Sequence, residues 1–267
     1  MLLKLPQGSI LEEYYRDVSV GYMVHLENAT FDDGAMARYV AAPATNCVHV
    51  PQEVGLEAAA LCDPACVALH GLRKVQRFEA GQTVAVIGAG PIGLFALQWA
   101  RLLGAGRTFA LDIETEKLDL AQSLGADVAV DVKSEDPVNA VLQATDGKGV
   151  HVVMVCAGSA AAQNVAVQIA RKLGSFVHIG TPHAKVIFSE AEWEAVRRKE
   201  LTVLGSINYR FAAPQHEWHT ALEFMRRGQL QAQPLITHHC ALPEGPALFP
   251  RLHRRELPFC KVLFMPQ

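Results

Sequence analysis

The sequence predicts an α/β fold built on a doubly wound parallel sheet. Three observations carry that expectation. Short apolar, β-branched runs alternate with segments of helical periodicity from Gln82 onward. The run at 150–156 is apolar almost throughout, as a strand must be when helices cover both faces of its sheet. A glycine-rich turn, Gly88-Ala-Gly-Pro-Ile-Gly93, stands between the first such run and the first such helix.

In order along the chain, residues 35–40 and 47–50 read as short strands between proline-punctuated links. Residues 56–75 read as a helix, with Ala58, Leu61, Cys62 and Ala65 on one apolar face. The run 83–87 is the first strand of the repeat. Helix 91–103 follows. Strand 108–112, helix 115–124, strand 128–131, helix 137–145 and strand 150–156 continue the alternation. Helix 159–172 is closed by Gly174, and strand 175–179, helix 190–199 and strand 201–204 follow. Residues 214–227 form an amphipathic helix ended by Gly228. The last stretch has a strand-like 235–242, a helical 243–253 and a closing strand at 261–265.

The turn carries the chemistry. Gly88 allows a tight exit from the strand, Gly90 lets the backbone approach a pyrophosphate closely, and Gly93 lets the helix pack on the strand. Phosphates then sit at the helix N-terminus beside Pro91 and Ile92, where unpaired N–H groups and the helix dipole favour negative charge. Asp112, nineteen residues after Gly93 at the end of the second strand, is placed to accept the adenosine ribose hydroxyls. That favours NAD and repels the 2′-phosphate of NADP. Lys117 is a further candidate for the ribose, an exposed helix lysine being the alternative. The plain alternative for the whole motif is a glycine-rich turn in another α/β fold; strand, helix and acid at the right spacing favour the Rossmann dinucleotide fingerprint.

At 267 residues the chain is near the size at which one core splits into two domains. It is 50% hydrophobic and 19% charged, hence globular, and its net charge of −3 with no basic block argues against a nucleic-acid partner. The first residues are too short and interrupted for a signal peptide, and no apolar stretch is long enough to span a bilayer. Six scattered cysteines suggest reduced thiols and a cytoplasmic protein.

From about Asp33 onward the chain resembles the medium-chain, zinc-type dehydrogenases, the sorbitol and galactitol-phosphate branch in particular. The resemblance rests on Asp33-Gly-Ala-Met-Ala-Arg-Tyr-Val40, Leu61-Cys-Asp-Pro-Ala-Cys-Val-Ala-Leu-His70, the turn with Asp112 and Glu116-Lys-Leu118, and Leu124-Gly-Ala126. Cys156-Ala-Gly-Ser159, Gly180-Thr-Pro182, the segment from Arg198 to Ser206, and Lys261-Val-Leu263 extend it. It implies NAD(H)-dependent oxidation of a CH–OH group in a polyol or secondary alcohol. A zinc ion would polarise the alcohol oxygen, and the backbone around Ala157, Gly180 and Ser206 would line the nicotinamide. It also implies a Rossmann domain at 76–230, with a remnant of a GroES-like β-barrel catalytic domain at 1–75 and 231–267, and a homodimer paired through the edge of the sheet at 175–206.

The Cys-x-x-Asp and Gly-His-Glu motifs that would hold the zinc, and the four-cysteine structural lobe, are not found before Asp33, so the catalytic segment is expected to be missing. His25-Leu-Glu-Asn28 resembles the end of that lobe. Asp63 is the one inherited ligand candidate, where the sorbitol branch has Glu, and no bound metal and no catalytic residue are assigned. Barrel remnants leave bare edges, so the first 70 residues are expected to be marginally stable or covered by a partner. Two other readings stand beside the dehydrogenase: a non-catalytic NAD(H)-binding sensor or interaction module, and a fragment of a full-length zinc alcohol dehydrogenase. Cys62 and Cys66 read as small buried thiols, His70 as a hydrogen-bonded core histidine, with the cofactor contact that the resemblance would allow as the alternative, and His216 and His219 as solvated. The adjacent His238, His239 and Cys240 cannot close on one ion from a strand. Arg197, Arg198 and Lys199 read as a solvated helix end. His151 has no assigned role.

Overall fold

A computed structural model describes residues 47–210 and 216–265. Expectations for the strand at 35–40, for His25–Asn28 and for the fragility of the first 70 residues lie wholly or largely outside the described residues. The chain divides into two compact units, one spanning Val67–Ile207 and the other gathering the residues up to Cys66 and from Asn208 on.

The first unit is a six-stranded sheet of β1 (Thr83–Ile87), β2 (Arg107–Asp112), β3 (Val128–Asp131), β4 (Val150–Val155), β5 (Ala170–His178) and β6 (Thr202–Gly205). All pairings are parallel and the order is β3-β2-β1-β4-β5-β6. The helices among the described residues are α1 (Leu56–Ala59), α2 (Cys62–Arg73), α3 (Pro91–Leu102), α4 (Thr115–Ser123), α5 (Pro137–Gln143), α6 (Ala160–Ile169), α7 (Glu190–Arg198), α8 (Glu217–Arg226) and α9 (Gly245–His253). The chain winds outward from β1 through β2 to β3, then returns to lay β4, β5 and β6 on the other side. Strand order reverses between β1 and β4, the place where open sheets of this kind take their ligands, outside the carboxyl ends of the strands.

Period-two burial builds the core. Ala85, Ile87, Phe109, Leu111, Val130, Val153, Val155 and Phe176 point to one face, where Val141 of α5 and Ala162, Ala166, Val167 and Ile169 of α6 cover them. On α3 every residue from Gly93 to Ala100 is buried, including Trp99, as befits a helix that is apolar nearly all round. The expected α/β class and parallel sheet are what the structure contains.

Local departures have local causes. The helix expected at 56–75 is broken between α1 and α2, because Pro64 has no N–H for the Ala60 carbonyl and its ring crowds it. Residues 47–50, expected as a strand, run as an irregular segment. The helix expected at 159–172 ends at Ile169, and Ala170 enters β5 at once, paired with Val150. No glycine closes α6. Instead the Lys199 ammonium donates to the carbonyls of Val167 (3.0 Å), Gln168 (2.8 Å) and Ala170 (2.8 Å), which places a cation at the negative end of the helix dipole. Lys199 is therefore not part of a solvated run: Arg197 and Arg198 pair with Glu194 on the helix surface, whereas burial pulls the Lys199 ammonium's pKa down. Removing this cap by Lys199→Met is expected to cost about 2 kcal/mol, a melting point lower by about 4–8 °C in calorimetry. A shift under 1 °C would refute the capping role.

In the second unit, β7 (Ile236–Ala241) and β8 (Lys261–Met265) pair in parallel. A 3-10 turn, Gln233–Leu235, precedes β7, so the strand expected at 235–242 begins one residue later. Another, Leu242–Glu244, precedes α9, which therefore starts at Gly245 rather than Pro243. Tyr209 and Trp218 pack edge to face at 5.6 Å, and the fully buried Glu217 carboxylate accepts from the Arg210 N–H at 2.6 Å.

Candidate functional site: the carboxyl edge of the sheet

At the end of β1 the backbone turns at Gly88 with φ +97°, a left-handed conformation that side chains resist. The Gly88 N–H donates to the Leu111 carbonyl at 2.8 Å, tying the turn to β2. A Cβ at Gly88 would lie 2.8 Å from the Ala157 nitrogen, so the turn also sits against the end of β4. A Cβ at Gly93 would collide with the Gly88 carbonyl oxygen and lie 3.1 Å from Val86 Cγ1. Gly93 is what lets α3 start directly above its strand.

Gly90 is the N-cap of α3, with φ −73° and ψ −177°, and nothing lies within 4 Å of where its Cβ would be. Steric relief inside the protein therefore does not require glycine there. Pro91 stands in the first turn of α3, and no acidic residue of the helix itself lies in that turn. Pro91 and Ile92 are half-buried at the rim.

Asp112 closes the turn from the side. Its Oδ2 accepts from the Ala89 N–H at 2.6 Å, and its Oδ1 accepts from Ile113 (2.7 Å) and Glu114 (3.0 Å). A carboxylate has about four acceptor directions, so one on Oδ2 is left. Asp112 thus holds the middle of the glycine turn through Ala89, a bond that a spacing rule does not reveal. Lys117, the second ribose candidate, donates to Glu114 Oε1 at 2.9 Å. Glu114 escaped the sequence reading; its position three residues before Lys117 on a helix start was the available signal.

Ala157, Gly180 and Ser206 follow the ends of β4, β5 and β6. A Cβ on Gly180 would come within 2.5 Å of the Ala157 oxygen. The Ser206 N–H donates to His178 O at 2.9 Å, while its Oγ is buried with no hydrogen-bond partner. Gly88 against Ala157, and Ala157 against Gly180, link the expected phosphate and nicotinamide ends into one edge. Cys156, beside Ala157, is no nucleophile at neutral pH: burial pushes its thiol up to about 12.

Two histidines of this unit have their pKa lowered by burial. His178 Nδ1 lies 2.7 Å from the Gln163 amide nitrogen, which can only donate, so Nδ1 accepts and Nε2 carries the proton. His151 bridges strands at the opposite edge: its ring nitrogens lie 2.9 Å from Thr83 Oγ1 and 2.7 Å from Arg171 Nη1. Burial lowers both pKa values from the ordinary 6.5, with the Arg171 charge adding to the effect at His151. A depressed histidine binds its proton more readily in the unfolded chain. The stability it lends is present above pH 6.5 and lost as pH falls through the lower folded value. Denaturant midpoints at pH 7.5 and 5.5 are expected to drop with acid, and His151→Gln is expected to shrink that drop; an unchanged drop would exclude His151.

The second unit places Asp63 half-buried, its pKa raised by burial against the opposing effect of the Tyr209 hydroxyl, which donates to it, and the Lys261 charge. Among the described residues no group of three His, Cys, Asp or Glu side chains converges as a metal site requires, so the metal that the resemblance implies does not fit them. Cys62 and Cys66 are buried with their sulfurs 3.8 Å apart. His70 is buried too. His239 reaches Glu57 at 3.1 Å while His238 contacts Thr237, so the neighbours face apart. His216, expected as solvated, is half-buried at the start of α8 and stacks on His219 at 4.0 Å.

Strand order, parallel pairing and the glycine turn together define an open α/β sheet of the Rossmann type. The chain belongs to the zinc-type medium-chain dehydrogenase family: the family model described as zinc-binding dehydrogenase matches residues 91–227. It is 33% identical over 237 residues to galactitol 1-phosphate 5-dehydrogenase of Escherichia coli K12, covering 88% of this chain and 67% of the relative. The crystal structure of galactitol-1-phosphate dehydrogenase from Escherichia coli superposes with a TM-score of 0.79 at 32% identity, over 88% of this chain and 67% of the other. A putative zinc-binding dehydrogenase of Sinorhizobium meliloti bound to NADP gives a TM-score of 0.75 at 28% identity, over 88% and 66%. The chain spans between 54% and 67% of the length of the curated relatives it matches.

Proposed function

We propose that the carboxyl edge of the sheet binds NAD(H), and that the chain serves the oxidation of a CH–OH group in a polyol or secondary alcohol. The observation that carries the reading is the pairing of an open, side-chain-free cradle at Gly90 with the Asp112 carboxylate that holds Ala89 beside it. The N–H groups at the start of α3 receive the pyrophosphate, and Asp112, through the acceptor direction left on Oδ2, orients the adenosine ribose. The ends of β4, β5 and β6 at Ala157, Gly180 and Ser206 flank the nicotinamide, where the unpartnered Ser206 hydroxyl is a polar group in want of a bond. When bound, the nicotinamide ring supplies the hydride acceptor. The names of the relatives, dehydrogenases of galactitol 1-phosphate, D-arabitol phosphate and sorbitol, support the substrate class.

The engagement of Asp63 by the Tyr209 hydroxyl favours a second reading, a module that binds the dinucleotide without turnover. Titration with NADH by fluorescence, followed by a polyol panel assayed for NAD reduction with and without added zinc, separates them. Binding with turnover supports the enzyme, and binding without it supports the module. No binding sinks both.

The same proposal has two copies pairing through β6 in a reducing compartment such as the cytoplasm. Val203 on that edge strand is half exposed, all six cysteines are free, and no helix among the described residues is long and apolar enough to cross a membrane.

A further inference from the structure

We propose that Glu114 sets the choice between NAD(H) and NADP(H) by holding the Lys117 ammonium away from a 2′-phosphate. The inference rests on the nucleotide reading above and concerns the same end of the site.

Between Asp112 and Lys117 the sequence places three carboxylates, Asp112, Glu114 and Glu116, against one ammonium. Only one of the three is committed to the lysine: Glu114 Oε1 accepts from Lys117 Nζ at 2.9 Å. Both side chains of the pair are largely screened from solvent, at 21% and 27% exposure, so the ammonium is neutralised in a setting less wet than the surface. Glu114 is itself positioned by the site, since its backbone N–H is one of the three that Asp112 accepts. Carboxylate, ammonium and ribose-facing aspartate therefore form one fixed arrangement at the end of β2 and the start of α4.

An ammonium on a flexible four-carbon stem is a point charge suited to phosphate. Here it is already satisfied, and a 2′-phosphate entering beside Asp112 would meet two carboxylates with no free cation. Loss of the Glu114 charge would release the ammonium and remove one of the repelling groups together. A relative of the same fold is bound to NADP, so the architecture itself admits the phosphorylated cofactor.

The test measures dissociation constants for NADH and NADPH by fluorescence titration of the full chain. The wild type is expected to prefer NADH. Glu114→Gln, which keeps size and hydrogen bonding, is expected to shift the ratio of the two constants about tenfold toward NADPH. Adding Lys117→Met to Glu114→Gln is expected to cancel most of that shift, because the gain runs through the freed ammonium. A ratio unmoved by both Glu114→Gln and Glu114→Ala, each with wild-type melting temperature, would overturn the proposal, and so would a shift that survives the loss of Lys117. Failure of the wild type to bind either nucleotide would instead overturn the nucleotide site. Gln at position 114 retains a polar partner for Lys117, so Glu114→Ala is the second variant, and a ratio unmoved in both ends the argument.

Discussion

Asp112→Ala is expected to weaken NADH binding about a hundredfold and to lower the melting temperature by about 4–8 °C. Two separate jobs of one carboxylate add up to this. In the protein alone it accepts three backbone N–H groups, from Ala89, Ile113 and Glu114, at 2.6–3.0 Å. Hydrogen bonds to a charged group are worth about 1.5–3 kcal/mol each, but the half-exposed site lets water replace part of them, leaving about 2 kcal/mol. With nucleotide present, the ribose loses its acceptor and the glycine turn loses the tether that keeps the Ala89 amide in place. A hundredfold change is about 2.7 kcal/mol. Fluorescence titration and calorimetry read the two effects independently. An affinity within threefold of wild type would remove Asp112 from the binding site even if the melting point fell.

Gly93→Ala and Gly90→Ala are expected to fail in opposite ways, and the contrast tests the turn more sharply than either alone. At Gly93 the added methyl has no room, because it collides with the Gly88 carbonyl and crowds Val86. Backbone cannot yield as a flexible side chain does, so α3 must lift from β1. Overpacking of this kind costs about 3 kcal/mol, a melting point about 10 °C lower, with binding lost as a consequence. At Gly90 the methyl meets nothing in the protein and φ is ordinary. Replacing glycine by alanine at an N-cap costs about 1 kcal/mol or less, so the fold should hold. On the proposed reading the methyl would enter the space that the pyrophosphate takes, and NADH affinity should fall by about ten- to a hundredfold. A Gly90→Ala protein that melts normally and binds NADH normally would show that the cradle is not used.

Much of the first unit was legible because its determinants are local. The strand–turn–helix from Thr83 to Leu102 follows from a β-branched run, a glycine where φ must be positive, and a proline at the first helical turn. Helix starts at Asp136, Ser159 and Ser189 follow from side chains that cap the next turn. Endings were less legible. The pattern of 159–172 continues a helix past Ile169, but pairing of Ala170 with Val150 and the ammonium of Lys199, thirty residues on in the chain, stop it. The partnerships of Asp63 with Tyr209 and of His178 with Gln163 likewise join residues that no window spans.

By itself the sequence determined the alternation of strands and helices, the parallel sheet and the glycine turn with its acid, since burial periodicity and backbone sterics act within a few residues. Only the tertiary structure decided which of these groups are already spoken for. It showed Asp112 gripping Ala89, Glu114 holding Lys117, Lys199 sealing α6 and Asp63 engaged by Tyr209, because hydrogen bonds and ion pairs depend on distances that folding alone creates.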